Sequence, residues 1–75
     1  MRTFEDHGKT WQAALLDASY GNIMLVFSPV HGGEIRQQLL TAANLSEAEA
    51  QLDGMDDEAL CEMLSGADPW HSGAG

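Results

Sequence analysis

Apolar positions in this chain gather in one stretch, Trp11 to Phe27, made of two runs separated by turn residues. In the first run Trp11, Ala13 and Leu15 alternate with Gln12, Ala14 and Leu16, the two-residue period of a strand. In the second, Ile23, Leu25 and Phe27 share one face, and Met24, Val26 and Ser28 the other. This run is rich in β-branched and aromatic residues and too short for a typical helix. Between the runs lies Asp17-Ala18-Ser19-Tyr20-Gly21-Asn22, where Gly and Asn accept positive φ and Asp and Ser bond nearby backbone. A connection of this length joins antiparallel strands, because a parallel pair needs a longer crossover. The pattern predicts a β-hairpin near residues 11–28. The second run, apolar on both faces, is expected to be the central strand.

The flanking segments extend this sheet. Arg2 to Glu5 fits a short edge strand carrying Phe4, and Asp6-His7-Gly8-Lys9 fits a tight turn into the hairpin. Ser28-Pro29-Val30-His31-Gly32-Gly33 reads as a loop, punctuated by Pro and paired Gly. Glu34 to Asn44 is ambiguous. Its residues favour a helix, with Ile35, Leu39, Leu40 and Ala43 on one side. A strand is nevertheless expected, because the short preceding loop returns the chain antiparallel to the central run and a further strand would cover an exposed edge.

The C-terminal third reads as two short helices. Ser46-Glu47-Ala48-Glu49 has the form of a capping box, and Leu45, Ala48, Leu52 and Met55 make one apolar stripe that Gly54 ends. Asp56 is expected to cap the second helix, with Met55 and Leu60 as a hydrophobic staple and Leu60, Met63 and Leu64 as its buried stripe. Gly66 and Pro69 stop it. The expectation is a single α+β domain over residues 1–70, with an antiparallel sheet of three to four strands followed by two helices, and a disordered tail at 71–75.

Size and charge sharpen this picture. A chain of 75 residues buries only about 60% of its unfolded surface, so it needs good packing of few elements or association with itself or a partner. One cysteine allows no internal disulfide. No apolar run opens the chain or is long enough to span a bilayer, so a cytoplasmic protein without membrane contact is expected. The formal net charge is −9, from 12 acids and 3 bases. Arg2, Lys9 and Arg36 all precede Glu47, so the last third is purely acidic. Such a field repels nucleic acid and attracts basic surfaces, although acids also simply keep small proteins soluble.

Candidate chemistry is thin. His7, His31, His71 and Cys61 show no metal-ligand spacing, so no metal or cofactor is expected. Cys61 has acidic neighbours, Glu58 and Glu62, which oppose thiolate formation, and reads as a small hydrophobe. Asp53 to Glu58 lacks the spacing of a calcium loop, and its acids suit a first helical turn. Gly32-Gly33 lacks the Lys-Ser/Thr of a phosphate loop, and neither Ser19 nor Ser28 has an identifiable activating base. No enzyme is expected. The leading expectation is a protein–protein interaction or regulatory module. Its candidate partner-binding residues are Tyr20 and Trp70 as aromatic anchors, and Glu47, Glu49, Asp56, Asp57, Glu58 and Glu62 as an acidic surface. The alternatives are an acidic inhibitor imitating nucleic acid at a basic protein site, and a small-ligand or divalent-metal domain.

Overall fold

The structure is a computed structural model that describes residues 2–17 and 22–70. Five strands, β1 (Arg2–Asp6), β2 (Lys9–Asp17), β3 (Ile23–Pro29), β4 (Arg36–Leu40) and β5 (Asp68–Pro69), form one sheet. They lie in chain order, and every neighbouring pair is antiparallel. Helices α1 (Leu45–Gly54) and α2 (Asp57–Ser65) come between β4 and β5. The α+β reading therefore holds, and β3, apolar on both faces, is the central strand.

Each connection has a local cause. His7 and Gly8 both take positive φ, 51° and 78°, the geometry of a two-residue turn whose twist matches that of the strands it joins. β2 and β3 then pair from Trp11↔Pro29 to Asp17↔Ile23. The turn containing Tyr20 lies outside the described residues. β4 forms against its own propensity. In a helix Leu39 and Leu40 would share a side, whereas here Leu40 is buried at 6% exposure beside Ile23 and Leu39 is 56% exposed. Pairing wins because an unpartnered β3 edge would leave a row of backbone donors and acceptors open.

Two details refine the sequence reading. A short fifth strand extends the expected antiparallel sheet: after α2, Asp68 and Pro69 pair with Gln37 and Arg36, and the Trp70 N–H donates to the Ile35 carbonyl at 2.8 Å. A two-residue strand has no periodicity to read, and Pro is tolerated there because the strand lies at the edge. The cap of α1 is Asn44, not Ser46. The Asn44 side-chain oxygen accepts from the Glu47 N–H at 2.8 Å, and Ser46 sits inside the first turn. The cap of α2 is Asp56, as expected, accepting from the Ala59 N–H at 2.8 Å.

Both helices cover the same face of the sheet. Phe4, Trp11, Ala13, Leu25 and Phe27 meet Leu52, Leu60, Leu64 and Ala67 in the main core. Phe4 and Phe27 stack edge-to-face, with centroids 5.8 Å apart at 78°. Ile23, Leu40 and Ala48 form a second cluster, and half-buried Leu15, Met55 and Met63 pack against both. Leu45, placed on the α1 stripe by spacing, is instead 43% exposed at its first turn. The result is a two-layer slab with extents of 35 × 33 × 18 Å. Its second broad face has no helix layer among the described residues.

Candidate interaction surfaces

The uncovered face follows from the alternation of the strands. Because Trp11, Ala13, Leu25 and Phe27 point to the helices, their neighbours point away. Leu16, Met24 and Leu39 stand opposite one another across three strands, and Ala14, Val26 and Gln37 form the next row. Ile35 and Trp70 continue the β4–β5 register by one residue, and the same alternation carries them to this face. Leu16, Ile35 and Leu39 are 42%, 39% and 56% exposed. Gln12 and Ser28, a cross-strand pair, begin the polar end of the face. The open-face positions of β2, β3 and β4 carry no charged residue. Glu5 and Asp68 are confined to the edge strands.

The acids occupy the other layer. Glu47, Glu49 and Asp53 lie on α1, Asp56 caps α2, and Asp57, Glu58 and Glu62 lie on α2, all exposed. Helix geometry brings these candidates into one layer on the far side from the open face. Their local roles are partly structural: Glu47, Asp57 and Glu58 sit in first turns, where carboxylates complement the helix dipole. Asp57 also faces Arg2, with Arg2 Nη2 at 3.6 Å from Asp57 Oδ1, a surface pair worth about 0–1 kcal/mol. Trp70 is separated from this acidic group and belongs with the open sheet face, half-buried. Tyr20 lies outside the described residues.

Between α1 and the C-terminal half of β2 runs an open groove of about 450 Å³, lined by Ala14, Leu15, Leu45, Glu49, Leu52 and Asp53. Two carboxylates at its rim and leucines along it favour a segment carrying both basic and apolar side chains.

Cys61 has a defined place in the structure. Its Sγ donates to the Glu5 carbonyl at 3.2 Å, tying α2 to β1. Burial pushes the thiol pKa up, and the neighbouring Asp6 carboxylate adds to the rise. Asp6 in turn is held below the usual carboxylate range, chiefly by the His7 ring, whose Nδ1 is 3.0 Å from Asp6 Oδ1. The thiol is thus the opposite of an activated nucleophile. Among the described residues no group of three or more His, Cys, Asp or Glu side chains is arranged to hold a metal ion. No described helix is long and apolar enough to cross a membrane.

The sequence reading missed Leu16, Met24, Ile35 and Leu39 as surface candidates. A signal was present: a strand apolar on both faces implies two faces to cover, and the two helices cover only one. No family model matches this chain, and neither a curated protein nor a solved structure matches it.

Proposed function

We propose that this chain is a non-enzymatic protein–protein interaction module that docks through its open sheet face. One observation carries the reading. A five-stranded sheet with a helix layer on one side presents, on the other, a contiguous apolar area free of charge at its centre. Contiguous exposed apolar surface of this kind marks docking sites on soluble proteins, and a tryptophan at its margin suits an anchor. Polar Ser28 and Gln37 beside the apolar positions supply hydrogen bonds of both senses.

A photo-activatable amino acid at Leu39, introduced in the native host, tests the reading. Adducts at Leu39 that are absent when the same group replaces Glu49 on the helix layer support docking through the sheet. A lack of adducts at Leu39 sinks it.

A second reading rests on a separate observation, the leucine-lined groove rimmed by Glu49 and Asp53. Under that reading a basic protein segment occupies the groove beside the acidic helices, as an inhibitor of a nucleic-acid-binding protein would require. Such binding weakens as salt rises, whereas apolar docking on the sheet does not.

A further inference from the structure

We infer that the occupant of the open sheet face is a second copy of this chain, packed sheet to sheet about a two-fold axis. The inference rests on the interaction reading above and names its partner.

Charge decides which face a like-charged copy can use. Each chain carries −9, so contact through the helix layers would bring Glu47, Glu49, Asp57, Glu58 and Glu62 against their own kind. Contact through the sheets does the reverse. With each slab 18 Å thick, the two acidic layers end on opposite outer surfaces, roughly 36 Å (18 + 18) apart. That is more than four Debye lengths of ~8 Å at physiological salt, so the repulsion between the layers is screened out. A basic partner has no reason to choose this face, because the carboxylates that would attract it lie on the other side.

The chemistry of the face also suits its own copy. An isologous interface needs a surface complementary to itself. The Leu16–Met24–Leu39 row is uncharged, so it meets its symmetry mate without burying an unpaired ion. The amide of Gln37 both donates and accepts, so it can pair with the same residue type across the axis.

Area fits a weak, reversible dimer. The strands hold 28 residues, which at ~4.8 Å spacing and ~3.3 Å rise give a footprint of about 440 Å² per copy, or ~900 Å² for the pair, with Glu5 and Asp68 at its solvated rim. Two such sheets pack ~10 Å apart, as in any β-sandwich, and convert a two-layer slab into a four-layer dimer. For a domain this small, covering the second apolar face is also a route to adequate stability.

Sedimentation equilibrium of the whole chain is the test. The mass should rise from 8.1 kDa toward twice that value between about 1 µM and about 1 mM, the range of Kd expected of a modest interface, and added sodium chloride should not reverse the rise. Leu39→Glu and Leu16→Glu each place a charge in the face at an exposed position. Both should keep the circular dichroism and cooperative melt of the parent yet remain monomeric throughout, while Glu49→Gln on the helix layer still dimerises. A parent that stays at 8.1 kDa at the highest concentration overturns the inference whatever the variants do. So does a dimer that survives both Glu substitutions. The two failures are distinguishable: a monomeric parent whose Leu39 photo-adduct contains a different protein ends self-association but leaves the interaction module standing, and a monomeric parent with no Leu39 adduct ends both.

Discussion

Phe27 is where sequence, packing and stability meet most directly. It is fully buried on the central strand β3, touches Phe4 edge-to-face, and belongs to the core cluster that includes Leu52 of α1 and Leu60 and Leu64 of α2. Truncating it removes a large apolar surface and leaves a cavity that a two-layer fold has little material to refill. Phe27→Ala should cost about 3–5 kcal/mol, most of the stability of so small a domain, and abolish the cooperative melt at room temperature. Cys61 makes a different prediction. Its thiol pKa is raised by burial and by Asp6, so alkylation by iodoacetamide should be slower at neutral pH than for an exposed cysteine. Asp6→Asn removes one of those causes and should speed the reaction and move its pH midpoint down. The linkage signs are opposite for the two groups. A thiol pKa above its unfolded value contributes stability that is lost as pH rises through the alkaline range, because the unfolded thiol ionises first. A carboxylate pKa below its unfolded value contributes stability that is lost as pH falls through the acidic range.

At the scale of elements, propensity and pairing compete, and β4 shows which prevails. The Glu, Arg, Gln and Leu residues of 34–44 favour a helix, yet Arg36–Leu40 is a strand because β3 needs a partner on that edge. The hairpin and both helices were legible from period alone, since their apolar residues recur at two or at three to four. β5 was not legible, because two residues carry no period. The α1 boundary was misjudged for a related reason. Asn44 and Ser46 are both good caps, and each has a Glu three residues on, Glu47 or Glu49. In the fold it is the earlier one that caps, because the Asn44 side-chain oxygen accepts from the Glu47 N–H. Asn44→Ala should therefore cost about 1 kcal/mol, seen as a lower Tm, whereas Ser46→Ala should leave the melt nearly unchanged. A loss confined to Ser46→Ala would show that the helix starts where the sequence alone suggested.

For the whole molecule, the segregation of charge matters more than its total. Seven of the 12 acids lie in the helix layer or cap it, packed into a body 35 × 33 × 18 Å. At ~0.01 M salt the Debye length is ~30 Å, so these acids repel one another across the entire layer; at ~0.15 M it is ~8 Å and most of that repulsion vanishes. Tm at fixed chain concentration should rise with sodium chloride over this range, by ~4–8 °C for each kcal/mol of repulsion relieved. A Tm that is flat in salt would mean that the acids are neutralised locally, and Arg2–Asp57 is the one Lys/Arg–carboxylate contact within 4.0 Å among the described residues. The sequence by itself determined the periodic elements, the central place of β3 and the acidic character of the helices, because these depend on neighbours within one or two turns of the chain. Only the tertiary structure set the bounds of the fourth strand at 36–40, and decided that Trp70 joins the sheet edge and that the apolar residues on the outer side of β2, β3 and β4 form one uncharged face opposite the acids. Those facts depend on which strands become neighbours and which face the helices cover, and contacts between distant residues carry that information.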